Sequence, residues 1–262
     1  MANNRYGMIK SKRKFPVRRL LKVPHKEGSL IVSYPAFGEN TYKENIGFMR
    51  KNYSHPKTGK KMNFVPATTS ESISAINPNA EKYPELSKYT FEKFAKPQIF
   101  EESWLHAGYF VGTQDGVYVN TTDLNDRNLK GLIDKSEKVN GIYLLPNGTV
   151  EGVRDFAFAP YESFETGAQE SGKFAEGGLA RALEHTPEKV AKNLKEISSL
   201  KFYKKGVNVL SFEGVKEPVL RVAHLGSSWY LRGSIFDFYC SNWDDDYDED
   251  GGYAFGVESV AD

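Results

Sequence analysis

The sequence has one cysteine, Cys240, in 262 residues. A single thiol cannot close an intramolecular disulfide or build a Cys-based metal site, so neither an oxidising compartment nor a zinc cluster is implied. Net charge is nearly absent: 35 Lys and Arg stand against 34 Asp and Glu, leaving +1 at pH 7 and no overall field to draw in nucleic acid. Long hydrophobic runs are missing too, and the mean hydropathy of -0.54 gives no candidate for a membrane span. From Met1 to Lys22 the chain is basic, but Lys and Arg interrupt its apolar residues, so it lacks the apolar stretch of a secretory signal; a soluble, cytoplasmic protein is the expectation. There is no P-loop, dinucleotide fingerprint, HExxH or CxxC motif. No catalytic residue and no cofactor is therefore assigned.

What is present fits an ordinary globular chain, 39% hydrophobic and 26% charged. Residues 1–28 read as a basic tail and 29–258 as a single domain. The run KSKRKFPVRRLLK, Lys10 to Lys22, is either a solvated tail or an anchor for RNA, acidic lipid or a partner. Ser29 to Tyr34 reads as the first strand, and helices are expected at Ser70–Ile76 and Pro84–Phe94. From Trp104 the pattern changes to short strand-like runs, WLHAGYFVG, GVYVN, GIYLLPNGTV and VRDFAFAP, with turns at Gln114–Gly116 and Asn147–Gly148, which predicts a meander of hairpins. A helix running to about Glu184 follows, with Gly177 and Gly178 inside it for close packing. Another is opened by Thr186 and Pro187, with Val190, Leu194 and Ile197 on one face. VNVLSF, VLRVAHLG and GYAFGV then read as strands. Strands, helices and strands without βαβ alternation predict an α+β fold.

One interval departs from this pattern. Lys is common up to Lys216 and then absent, while Ser227 to Asp250, SSWYLRGSIFDFYCSNWDDDYDED, is loaded with Tyr, Phe, Trp, Asp and Ser. Its aromatics show neither period 2 nor period 3.6, so it fits neither an amphipathic helix nor a clean strand; the bland alternative, an irregular loop whose aromatics close the core, is favoured only for Trp229 and Trp243. Tyr, Phe, Trp and Arg give large contact area at low entropy cost, with Ser, Asn and Asp as adaptable polar neighbours, so the segment also reads as a binding surface.

The frame His224-Leu-Gly-Ser-Ser-Trp229, then Trp243, then Gly252-Tyr-Ala-Phe-Gly-Val257 resembles the variable proteins of archaeal diversity-generating retroelements. NGIYLLPNGTVEGVRDFAFAPYE and FAEGGLARALEHTPEKVAKNL are similar to the same group, so the resemblance runs from about Trp104 onward. It implies a C-type lectin-like fold, in the formylglycine-generating-enzyme-like branch, with an N-terminal extension and a hypervariable region at 227–250. It also implies adenine-directed mutagenesis at AAY codons, from which Lys, Glu, Gln, Met and Trp cannot arise. Within Tyr230 to Asp250 only Trp243 and Glu249 fall outside the reachable set. On this resemblance Trp229, Gly233, Trp243, Gly252, Phe255 and Gly256 are scaffold. Tyr230, Leu231, Arg232, Ser234, Phe236, Phe238, Tyr239, Ser241, Asn242, Asp244, Asp245 and Tyr247 contact a variable ligand, a protein by preference, with Asp237 and Cys240 as secondary candidates for contact.

Rival readings remain open. Asp246-Tyr-Asp248-Glu-Asp250-Gly251 matches the opening of a calcium loop, but Val257 stands where the closing bidentate Glu belongs, which favours a solvated acidic turn and no metal. Cys240 with His25, His55, His106, His185 or His224 has no local nucleophile signature. An enzyme or metal-binding domain of the formylglycine-generating-enzyme-like fold is the alternative, and its catalytic cysteine pair is not available. Asn52, Asn120 and Asn147 begin glycosylation sequons, a weak signal without export.

Overall fold

Where the sequence alone suggests a basic tail, the chain already forms sheet. In the computed structural model the described residues are 19–25, 28–34, 36–51, 53–54, 58–59, 61–76, 105–121, 131–132, 134–139, 142–151, 153, 156–183, 192, 195, 206–210, 215–227, 236–242 and 252–260. Strand β1 (Arg19–His25) pairs antiparallel with β2 (Gly28–Tyr34), with Leu21 opposite Val32. The apolar residues between the cations account for this, and Val23 is 1% exposed.

Next come β3 (Phe37–Asn40) and α1 (Tyr42–Met49), a helix the polar composition did not suggest. It is opened by a capping box: the Glu44 amide donates to the Thr41 hydroxyl at 3.1 Å, and the Thr41 amide to the Glu44 carboxylate at 3.3 Å. Short strands β4 (Tyr53–Ser54), β5 (Lys61–Met62) and β6 (Val65–Pro66) lead to α2 (Thr69–Ile76), the helix expected from Ser70. Thr68 and Glu71 repeat the reciprocal cap there. The helix expected at Pro84–Phe94 lies outside the described residues.

The strand-like runs become β7 (Leu105–Gly112), β8 (Gly116–Asn120), β9 (Glu137–Val139), β10 (Ile142–Leu144) and β11 (Phe156–Pro160). Gly148 occupies the third position of the Pro146–Thr149 turn with φ +74°, a conformation that favours glycine. After β12 (Gly167–Gln169) come α3 (Ser171–Glu176) and α4 (Gly178–Ala182). A Cβ on Gly178 would fall 1.8 Å from the Ser163 hydroxyl, so this glycine permits the close packing expected of it. The helix expected after Thr186 is largely outside the described residues. The last strands are β13 (Val207–Leu210), β14 (Val219–Ser227), β15 (Phe236–Asn242), β16 (Gly252–Ala254) and β17 (Gly256–Val260).

One sheet has the order β1-β2-β17-β6. The larger runs β11-β8-β7-β14-β15-β13-β12, with β10 and β9 attached at β14 and with β16 and β3 attached at β7. The meander therefore holds only from β7 through β8 to β11; β14, far along the chain, takes the place beside β7. Most pairs are antiparallel, while β13/β15 and β16/β7 are parallel. The large sheet separates two cores. Phe110, Ala223, Leu225, Val207 and Val209 face one, covered by α2 and α4; Tyr109, Val111, Leu220 and Val222 face the other, covered by α1. Burying a side chain such as Phe110 contributes about 1.5–3 kcal/mol. Among the described residues no helix is long and apolar enough to cross a membrane.

Candidate binding surface

The segment whose residue pattern fits no clean strand contains β15, and this corrects that reading. Phe236–Asn242 pairs antiparallel with β14, from Ser227 opposite Phe236 to Arg221 opposite Asn242, and parallel with β13, from Val207 opposite Phe236 to Leu210 opposite Tyr239. Both edges of the strand are bonded, so backbone partners on either side, rather than a clean polar and apolar alternation, make it a strand. Residues directly opposite one another share a face of the sheet. The positions of Phe236, Phe238 and Cys240 therefore belong with Val207, Val209, Leu225 and Ala223, and those of Asp237, Tyr239 and Ser241 with Asn208, His224 and Val222. The neighbours in both rows are at most 8% exposed. Cys240 stands opposite Ala223, on the face away from His224.

His224, in the second row, belongs to a buried aromatic group that sequence reasoning did not single out as a unit. The rings of His106 and His224 meet edge to face at 4.9 Å, and Tyr42 lies 5.2 Å from His106 and 5.3 Å from Tyr109. A bulge makes this possible. Val222 is opposite Tyr109 and His224 is opposite His106, so β7 carries an extra residue at Ala107–Gly108. Gly108 has φ +93°, and a Cβ there would sit 2.7 Å from the side-chain amide oxygen Oδ1 of Asn120. That oxygen accepts the Tyr109 amide at 2.7 Å, and the Thr69 hydroxyl donates to the Ala107 carbonyl. Burial lowers the His224 pKa well below 6.5, and His106 pushes it the same way, so the ring is neutral at physiological pH.

The closing segment is fixed by shape. A Cβ on Gly252 would lie 2.3 Å from the His106 ring, and the Gly252 carbonyl accepts the Asn45 side-chain amide at 2.9 Å. Phe255 is 0% exposed, and its carbonyl accepts the Ala67 amide at 2.9 Å. The Gly256 amide donates to the Ser33 hydroxyl at 2.9 Å, while a Cβ on Gly256 would press on Phe37 and Phe64 at 2.9 and 3.0 Å.

Of the residues the resemblance assigns to the surface, Phe236, Phe238, Tyr239, Ser241 and Asn242 lie on β15, as do Asp237 and Cys240. Tyr230, Leu231, Arg232, Ser234, Asp244, Asp245 and Tyr247 lie outside the described residues, as do scaffold Trp229, Gly233 and Trp243 and the candidate calcium ligands Asp246, Asp248 and Asp250. Among the described residues no group of three or more His, Cys, Asp or Glu could hold a metal ion. Asn120 is 3% exposed with its side chain engaged, which removes it as a glycosylation acceptor, whereas Asn147 is exposed on its turn.

No protein-family model and no curated protein matches the sequence. Among solved structures, one described as the accommodation of massive sequence variation in Nanoarchaeota by the C-type lectin fold superposes with a TM-score of 0.52 at 14% identity, covering 92% of this chain and 99% of that one. The chain has a C-type lectin fold. Within that fold, β14, β15 and β13 form the interior of the large sheet, and the segments 228–235 and 243–250 enter and leave β15 at opposite ends.

Proposed function

We propose that this C-type lectin-fold chain is a non-enzymatic binding protein that displays residues 227–250 as a variable surface, diversified by adenine-directed retroelement mutagenesis, toward a protein ligand. The observation that carries the reading is the manner in which the segment is held. Its central strand is bonded along both edges, and the closing frame at Gly252, Phe255 and Gly256 is locked by steric fit. Side chains outside the paired strand can then change at little cost to stability. The likeness to a lectin-fold protein described for massive sequence variation supports the same reading. The sequence frame His224-Leu-Gly-Ser-Ser-Trp229 favours the formylglycine-generating-enzyme-like branch, and the cytoplasm is the location proposed.

The register sharpens the choice of contacts. Phe236 and Phe238 occupy the row shared with core residues Val207, Val209 and Leu225, which suits support. Tyr230, Leu231, Arg232, Ser234, Asp244, Asp245 and Tyr247, outside the strand, carry the main recognition role.

Deep sequencing of codons 224–257 in the source population, with a search of the flanking DNA for a near-repeat differing at adenines, tests the proposal. Substitutions concentrated between Tyr230 and Tyr247, with Trp229, Trp243 and Gly256 constant, are expected. A uniform segment with no repeat would overturn the mechanism.

A further inference from the structure

A recess lies on the face of the large sheet that carries Val111 and Tyr118, at the end where β7 turns into β8. It is a cavity of about 210 Å³ bordered by the Thr113–Gly116 turn, the Leu145–Glu151 turn and Lys216–Pro218. Its walls are tied together by backbone. The Thr113 amide donates to the Gly116 carbonyl at 2.8 Å, the Leu145 amide to the Pro218 carbonyl at 2.7 Å, and the Tyr161 amide to the Asp115 carbonyl at 3.1 Å. The recess is therefore formed before any ligand arrives.

Two aromatic rings line it. Tyr118 and Phe158 are cross-strand partners on β8 and β11, with ring centroids 4.6 Å apart and planes tilted by 39°. Phe158 is 43% exposed, unusual for a phenyl ring with a folded sheet beneath it. Gly116 allows the rings to sit there, since a Cβ on it would fall 2.7 Å from the Phe158 ring. Around the rings stand two exposed carboxylates, Asp115 and Glu151, against one exposed ammonium, Lys216. The acidic field reaches the ring: burial raises the Tyr118 pKa above 10.0, and Glu151 and then Asp115 raise it further.

We propose that this recess binds a guanidinium group, the arginine side chain of a partner, stacked on Tyr118 and Phe158 and paired with Asp115 and Glu151. Aromatic faces attract a cation through the ring quadrupole, and the planar guanidinium stacks on a ring while its edge offers parallel donors to a carboxylate. The excess of negative charge excludes anions, and the exposed phenyl face is a poor platform for a ligand that only hydrogen-bonds. None of the described residues that line the recess belongs to the 227–250 segment, and the proposal does not depend on the function proposed for that segment.

The test is a titration of the full chain with N-acetyl-arginine amide, followed by saturation-transfer NMR and tyrosine fluorescence, with the neutral isostere N-acetyl-citrulline amide as control. Saturable binding is expected for the arginine compound, about tenfold tighter than for citrulline. The pair Asp115→Asn with Glu151→Gln should weaken it about tenfold and Phe158→Ala about threefold, while Lys216→Ala should tighten it about twofold. Asp134→Asn, an exposed carboxylate outside the recess, should leave it unchanged. Circular dichroism checks that each variant is folded. Equal binding of citrulline, no response to the double substitution, an equal response to Asp134→Asn, or no saturable binding would each overturn the proposal.

Discussion

Two adjacent stretches of this chain are held in place by different means. The segment from Gly252 to Val257 is specified by side-chain shape: a glycine against a histidine ring, a fully buried phenyl group and a second glycine wedged against Phe37 and Phe64. β15 is specified along its backbone, which is paired to β14 on one edge and β13 on the other. Shape depends on each residue's identity, whereas a backbone ladder is indifferent to most side chains. The first stretch can hold a register, and the second can tolerate change around it.

Mutations can break or sharpen this contrast. Phe255→Ala should cost the most, about 3–5 kcal/mol in urea unfolding, because it empties a fully buried site. Gly252→Ala should follow with about 1–3 kcal/mol, since the new methyl drives into the His106 ring, which cannot withdraw from its packed position. Asn120→Ala tests the bulge. Losing the acceptor of the Tyr109 amide should cost about 1–3 kcal/mol and, by loosening Ala107–Gly108, broaden the His106 and His224 ring resonances.

The buried histidine gives a smaller, pH-dependent effect. His224 has a folded-state pKa below the 6.5 of the unfolded chain, so the unfolded chain takes up the proton first as pH falls. Stability should therefore be complete above about pH 6.5 and decline below it, by at most about 1.4 kcal/mol per pH unit from this group, until the folded pKa is reached. Repeating the melts with His224→Gln should flatten that slope. The smallest change is expected in the flanking segments: alanine at Tyr230, Asp244 or Tyr247 should shift stability by less than about 0.5 kcal/mol. A loss of several kcal/mol at any of these would erase the contrast.

How much was readable depended on whether a signal was local. β2, β7, β8, β11, β13 and β14 were visible as short apolar runs bounded by turn residues, and α2 was expected within one residue of its start. α1 was overlooked although Thr41-x-x-Glu44 spells its capping box, because the surrounding polar composition masked it. β1 was hidden by the cations between its apolar residues. β15 could not be read from its own residues at all, since its partners lie on β13 and β14 and supply the reason it is extended. The meeting of His106 with His224 was equally out of reach, because it needs both the pairing of β7 with β14 and a bulge at a glycine whose positive φ leaves no mark in sequence. The reason positions 252 and 256 must be glycine lies in the rings beside them, which no local pattern in the sequence displays.

The pairing of β2 with β17, Val32 opposite Val257, has a consequence for synthesis. The N-terminal hairpin is made early, yet its open edge has no partner until residue 257 has left the ribosome. Contacts so distant in sequence close slowly, and an open strand edge is a template for aggregation in the meantime. Every residue between 228 and 250 is therefore translated before the small sheet can be completed. A substitution in that segment that blocks folding would leave the edge of β2 exposed, marking the chain for chaperones and proteases.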